Sequence, residues 1–221
     1  MKLKFFVLIL LIILIAPVLA HQPRLPEDEL TIIENPEISQ AFYSELKGKP
    51  HYYEINSNET FNLYVGILVP AIENIDKDVS VKISYNNEFY RLLNASESEW
   101  PEFFEEFVGD LYYWGPELGA NAALETPRGI QVSPGTYTFE VFSEDNQGKY
   151  VFVVGEKEEF PLNEMLNSLV LMPKIKKFFN KSPLTAYFNR IGLFLLIFII
   201  ILAAIIFTAF YLIRKFKKKK K

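Results

Sequence analysis

Residues 135–155 read GTYTFEVFSEDNQGKYVFVVG. Tyr137, Phe139 and Val141 fall on one side of an extended chain, and Thr138, Glu140 and Phe142 on the other. That is the two-residue period of a half-buried strand. Ser133-Pro134-Gly135 supplies a turn before it and Asp145-Asn146-Gln147-Gly148 a turn after it. The stretch therefore predicts a β-hairpin whose second strand covers 149–155. Working upstream, the same signals predict strands over 30–34, 52–56, 60–69, 79–85, 88–93 and 129–132. Short strands punctuated in this way predict a mainly β domain, an antiparallel β-sandwich. Residues 21–36, with three prolines, read as an extended lead-in around the short strand at 30–34. No internal repeat is apparent.

Two segments stand outside the strand pattern. Residues 100–114, WPEFFEEFVGDLYYW, are dense in aromatics and acids and suggest a short helix over 102–107. Residues 160–177 read as helix, with Leu162, Met165, Leu166, Leu169 and Val170 at helical spacing and Pro173 interrupting the pattern. This segment is expected either to pack on the sandwich or to lie at a lipid surface. Lys174, Lys176, Lys177 and Lys181 suit a place near headgroups.

The two ends are hydrophobic. Residues 1–20, MKLKFFVLILLIILIAPVLA, have two lysines, an apolar run and then Pro17, Val18 and Ala20. That is the pattern of an export signal cut before His21. Residues 191–213 carry no charge for 23 positions, and about 20 such residues cross a bilayer as helix. Tyr187, Phe188 and Tyr211 stand at its ends, and Arg214, Lys215 and Lys217 to Lys221 follow it. By the positive-inside rule that tail is cytoplasmic. The expected organisation is a signal (1–20), an extracytoplasmic sandwich (21–157), a juxtamembrane helical stalk (158–190), one C-terminal transmembrane helix (191–213) and a basic tail (214–221). The chain is expected in the cell membrane, with the bilayer as partner of 191–213.

The overall charge of −4 averages over these compartments. All 27 acidic residues and 14 of the 23 basic ones lie between 21 and 190, which leaves that body at −13. So acidic a domain avoids nucleic acid and anionic surfaces, and no basic patch with interleaved aromatics exists. There is no cysteine, which removes disulfides, thiolate metal sites and a cysteine nucleophile. A body of this size buries about 70% of its chain surface and rests on its own core.

Phe42-Tyr43-Ser44-Glu45-Leu46, Tyr52-Tyr53-Glu54-Ile55, Phe61-Asn62-Leu63-Tyr64-Val65, Gly135-Thr136-Tyr137 and Gly148-Lys149-Tyr150 follow one another in a recurring order. Over residues 40–155 this resembles the jelly-roll domains of the pre-peptidase C-terminal type, which accompany secreted peptidases. Those domains open on a tyrosine and an extended strand and close on a glycine-x-tyrosine pair. The aromatic-acidic segment at 100–114 departs from that pattern. The resemblance implies a jelly-roll-like accessory or binding sandwich and transfers no catalytic residue.

Three constellations bear on chemistry. Trp100, Glu105, Glu106, Tyr112, Tyr113 and Trp114 combine carboxylates with aromatic platforms, the materials of a glycan-binding or glycosidase-like cleft. The simpler reading is a surface helix with its acids outward and Phe103, Phe104 and Phe107 inward. His21 and His51 are the two histidines. Cut at Ala20, the chain would open on His21, whose amino and imidazole nitrogens with a second imidazole make a set that suits Cu(II). Copper polysaccharide monooxygenases and periplasmic copper carriers are built similarly, although Gln22-Pro23-Arg24 is expected to lead away from the domain. Asp76 with Asp78, and Glu144 with Asp145, offer oxygens to Ca²⁺ without a known loop spacing. Asn58, Asn94 and Asn180 head N-glycosylation patterns. No Gly-rich phosphate loop and no G-x-S-x-G turn is present.

The leading expectation is a membrane-anchored binding or structural module that contacts a protein or glycan and needs no cofactor. The other is a copper-binding or oxidative domain using His21 and His51. Catalysis is the lesser expectation.

Overall fold

The computed structural model describes residues 21–105, 108–119, 129–159, 161–188 and 190–219. The expected export segment, Glu106 and Phe107 lie outside the described residues. Among the described residues thirteen strands follow in order: β1 (Gln22–Arg24), β2 (Leu30–Ile32), β3 (Gln40–Lys47), β4 (His51–Ser57), β5 (Phe61–Leu63), β6 (Val65–Pro70), β7 (Ser80–Tyr85), β8 (Glu88–Leu93), β9 (Glu102–Glu105), β10 (Asp110–Leu118), β11 (Ile130–Val132), β12 (Gly135–Phe142) and β13 (Gln147–Val154). Helix α1 (Leu162–Phe178), a 3₁₀ turn (Pro183–Tyr187) and helix α2 (Arg190–Lys219) close the chain.

The strands form two facing sheets, ordered β1-β3-β13-β6-β10-β9 and β2-β4-β12-β7-β8, and a small pair β11-β5. The mainly β sandwich expected from the sequence is therefore present. Its pairings are antiparallel except at two edges, where β1 lies parallel to β3 and β2 parallel to β4. Gln22-Pro23-Arg24 thus joins the first sheet instead of leading away.

The strands on either side of Asp145-Asn146 correct the hairpin expectation. β12 pairs with β4 and β7 in one sheet, and β13 pairs with β3 and β6 in the other. The turn is an arch that carries the chain across the sandwich. Asp145 accepts from the backbone N–H of Gln147 at 2.9 Å, and Asn146 takes a left-handed φ of 52°. These are the turn chemistries that a hairpin also uses. As a result Phe139 and Phe152 meet across the core as a tilted pair, ring centroids 5.5 Å apart, with Tyr53 4.5 Å from Phe152.

The sheet containing β13 is buried on both sides. Phe42, Leu46, Ile67, Tyr150, Phe152 and Val154 point into the sandwich. Their alternates Ala41, Tyr43, Leu68, Val151 and Val153 pack with Met172, Ile175 and Phe179 of the α1 segment. This is why β6, VGILVP, is buried at every position while β12 alternates. Burying the three α1-segment side chains contributes roughly 1.5–3 kcal/mol each.

Several expected boundaries change. The span 60–69 splits at Tyr64 into β5 and β6. Where a helix over 102–107 was expected, the described residues Glu102–Glu105 form strand β9, paired with β10 through Glu105↔Asp110 and Tyr112↔Phe103. Phe104 is turned to solvent there, against the expected inward position. Pro173 does not interrupt α1, which runs 17 residues through it. Proline has no N–H for the carbonyl four residues back, and the Tyr187 hydroxyl donates to that Leu169 carbonyl at 2.9 Å instead.

α2 is 30 residues long. Among the described residues no helix is long and apolar enough to cross a membrane. The side chains at 191, 194, 195, 212 and 213 lie outside that set. The membrane expectation thus rests on the uncharged sequence at 191–213.

Candidate functional site

The segment from Trp100 to Leu118 divides between two interiors and one open groove. Trp100 takes φ 52° immediately before Pro101, a left-handed backbone that a bulky residue adopts at a cost of about 1–3 kcal/mol. Its indole offsets this by burial. It is 6% exposed, donates from Nε1 to the Ala95 carbonyl at 3.0 Å, and packs in the sandwich core over Gly115. A Cβ at Gly115 would stand 2.5 Å from the Trp100 ring and 3.0 Å from the Ile67 carbonyl. Trp100 is therefore a core residue and offers no platform to a ligand.

Tyr112 points the other way, into the layer between the first sheet and α1. A cavity of about 30 Å³ lies there, lined by Tyr43, Leu68, Tyr112, Val153, Ser168 and Met172 among others. The volume suits a single water. Burial drives the hydroxyl pKa values of Tyr43 and Tyr112 above the usual phenol range, and neighbouring negative charge adds to it.

Beside Tyr112, Asp110 is buried with Lys176. The Lys176 Nζ is 2.7 Å from Asp110 Oδ2 and donates to the Val108 carbonyl at 3.1 Å. Lys181 reaches Asp110 Oδ1, also at 2.7 Å. Two of the four lysines assigned to headgroups from the sequence thus bind the helix segment to β10. Only Lys174 and Lys177 keep the exposed positions expected of them. No sequence signal links Asp110 to Lys176, because each is an ordinary charged residue in its local pattern.

Tyr113, Trp114 and Glu105 occupy the outer part. Lys77 Nζ sits 3.4 Å over the Tyr113 ring. Trp114 stacks edge-on with Phe103 at 4.9 Å and donates from Nε1 to Glu117 Oε2 at 3.2 Å. The Tyr64 hydroxyl donates to the same oxygen at 2.8 Å. Trp114, Phe103, Tyr64 and Glu105 line an open groove of about 1190 Å³, with Glu37 and Glu156 further along it. Glu37 accepts from the Asn62 N–H, and Glu156 from the Gly129 N–H, both at 2.8 Å. These carboxylates tie the segments around residues 37 and 156 to the small β5–β11 pair. Of the six residues expected to form one cleft, Trp100 and Tyr112 lie in separate cores, Trp114 and Glu105 share the groove, Tyr113 is covered by Lys77, and Glu106 lies outside the described residues.

The structure does not bring His21 and His51 together. His21 Nδ1 bonds Ser39 Oγ, just before β3. His51 Nδ1 meets Ser44 Oγ at 3.1 Å and the Tyr150 hydroxyl at 2.8 Å. Five residues of extended chain separate the two serines, about 16 Å at strand rise. Tyr150 passes the contact on to the Tyr53 hydroxyl at 3.0 Å. Burial lowers the pKa of His51, and burial lifts that of Tyr150 to about 12. Asp78 is raised by partial burial, then by Asp76, Asp145 and Glu144. The two acidic pairs are therefore neighbours in space. Among the described residues no group of three or more His, Asp or Glu is placed to hold a metal ion.

Fold and site together define a disulfide-free β-sandwich with a helix docked on one sheet. Among solved structures, the chain is similar to the pre-peptidase C-terminal domain of a Bacillus anthracis collagenase, with 11% identity, 58% of this chain and 95% of that chain covered, and a TM-score of 0.32. It is also similar to the insecticidal crystal protein Cry2Aa, with 10% identity, 56% and 22% covered, and a TM-score of 0.30. No family model and no curated protein sequence matches the chain.

Proposed function

We propose that the chain is a membrane-anchored structural and binding module: an exported acidic sandwich, held by 191–213 and presented to a protein or glycan partner. The observation that carries this is the docking of α1. It fills the outer face of the first sheet with Met172, Ile175 and Phe179 and is pinned there by Lys176 on Asp110. The 3₁₀ turn then leads into α2 and its uncharged run. A helix so fastened orients the body instead of letting it swing on a flexible linker. Trp100 and Tyr112 are committed to packing, which favours a scaffold over an enzyme, and the groove beside Trp114 and Phe103 is the place for a partner's contact.

The absence of native cysteine makes the test direct. Glu59→Cys and Lys218→Cys are made separately in the full chain and expressed in membrane-bearing cells. Glu59→Cys reacts with an impermeant maleimide from outside, and Lys218→Cys reacts only after permeabilisation. Release of the chain by alkaline carbonate, or the reverse labelling, refutes the proposal.

A further inference from the structure

α1 has a second face that the sandwich does not use. Leu162, Leu166 and Val170 are 70%, 56% and 60% exposed. They recur every fourth residue, which places them within an arc of about 80° and a length of about 12 Å on one side of the helix. The buried residues Ser168, Met172 and Ile175 lie on the far side, with buried Lys176 at its margin. Lys174 and Lys177, both exposed, fall on the same outward side as the three apolar residues. The helix's one acid, Glu164, is turned away from that side and paired with Arg24 at 2.8 Å. Alongside, the 3₁₀ turn, held to α1 by Tyr187 on Leu169, exposes Leu184 and Phe188 at 71% and 85%.

A helix with apolar side chains flanked by lysines and no free acid matches the acyl–headgroup boundary of a bilayer. Leucines enter the boundary while lysine stems lie along it with their ammonium groups in the headgroups. On a body of charge −13, this is a face without free carboxylates on its helix. It is also continuous in sequence with the segment that the anchoring proposal places in lipid.

We infer that the outward face of α1 lies flat on the bilayer surface, with Leu162, Leu166 and Val170 in contact with lipid. The inference rests on the anchoring proposal. The sandwich then sits on the membrane with its first sheet and α1 stacked above the headgroups, and the edge strands and the groove are left to face outward or sideways.

The test uses the full chain in vesicles of equal parts phosphatidylcholine and phosphatidylglycerol. Single variants Leu166→Cys, Ala203→Cys and Glu59→Cys carry a nitroxide label, and its collisions with apolar oxygen and with a water-soluble nickel chelate are measured. The inference expects position 203 deep, position 166 shallow with nickel collisions several-fold fewer than at 59, and position 59 in water. Position 203 deep with 166 as nickel-accessible as 59 overturns the surface contact and leaves the anchor standing. Positions 203 and 166 both in water overturn the anchor and the contact together. In the first case, Lys174→Glu/Lys177→Glu raises nickel access at 166, whereas a protein–protein contact there is unchanged in vesicles of phosphatidylcholine alone.

Discussion

Replacing Lys176 by methionine removes one ammonium and keeps most of the apolar stem. Lys176 and Asp110 are 2% and 4% exposed, so the remaining carboxylate stays in an interior that solvates it poorly. Breaking a buried pair from one side costs 3–5 kcal/mol in general. Here Lys181 still reaches the other oxygen of Asp110 from a side chain that is 28% exposed. That places the expected loss near the lower end, about 3 kcal/mol. For a domain of this size, each kcal/mol moves the melting point by roughly 2–4 °C, so the midpoint should fall by roughly 6–12 °C. Replacing both partners by apolar residues of similar bulk, Asp110→Leu/Lys176→Met, removes the stranded charge, and Lys181 turns to solvent. The double variant should lie within about 1 kcal/mol of the parent and above both single variants. Urea unfolding of the full chain in detergent reads this through Trp100 and Trp114, both in the sandwich. A Lys176→Met variant unfolding within about 0.5 kcal/mol of the parent would falsify the pinning argument. So would a double variant no more stable than the singles, since the loss would then come from packing.

Gly115→Ala pushes a methyl against the Trp100 ring and the Ile67 carbonyl, an overpacking cost of about 1–3 kcal/mol; near-ultraviolet dichroism of the tryptophans should change with it, and an unaltered spectrum with unaltered stability contradicts the close approach. Tyr187→Phe should cost about 1 kcal/mol by leaving the Leu169 carbonyl unpaired, and cost almost nothing in a Pro173→Ala background, where the restored N–H takes that carbonyl; equal losses in both backgrounds refute the link. Burial lowers the pKa of His51 in the folded chain, so below about 6.5 the unfolded chain takes up the proton more readily and stability falls with pH until the folded value is passed. Above that window it is flat, and His51→Gln should remove the slope in a series of urea midpoints. With Tyr150 lifted to about 12 and Tyr53 also raised, ultraviolet titration should show exposed tyrosines ionising near 10 and the buried ones only with alkaline unfolding; a single transition near 10 counts against the buried network.

The strands that face water on one side were legible in the sequence through their alternation, whereas of those covered on both sides β6 and β13 were expected as strands and β3 was not. β12, β7 and β4 carry the alternation that solvent on one face imposes. β3, QAFYSELK, is buried at all but Glu45 and Lys47 because α1 covers its second face. Its alternation is therefore apolar against apolar and polar, and no strand was expected there. EFFE over β9 places phenylalanines in adjacent positions, a spacing that helix and strand share in so short a run. The arch between β12 and β13 was missed for another reason. Asp145 and Asn146 make the same local hydrogen bonds whether the chain returns beside itself or crosses to the facing sheet. What decides is that Phe139 and Phe152 both seek the interior, a fact of three dimensions. The candidate cleft failed similarly: spacing within 100–114 reveals the aromatic content, while strand alternation on β10 sends Tyr112 and Tyr113 to opposite faces.

The two-sided burial of the first sheet has a consequence for what the molecule can do. Without the α1 segment, Tyr43, Leu68, Val151 and Val153 would face water as one apolar surface, the kind of patch that calls for a cover. The helix is therefore part of the fold, and its apolar contacts outweigh the ion pair that aligns it. Three side chains at roughly 1.5–3 kcal/mol each hold α1 down, while Lys176 and Asp110 fix its register along β10, since a slip of one residue would carry the ammonium away from the carboxylate. A hinge between the sandwich and α1 would need an uncommitted segment. From β13 to α1 the chain is instead tied by Ile38 bridged to Lys157, by Gln22 on the Glu159 carbonyl and by Arg24 on Glu164. Any partner that meets the groove beside Trp114 thus meets a surface whose orientation to α1 is already set, which suits a module that presents a site in one attitude better than one that reaches for it.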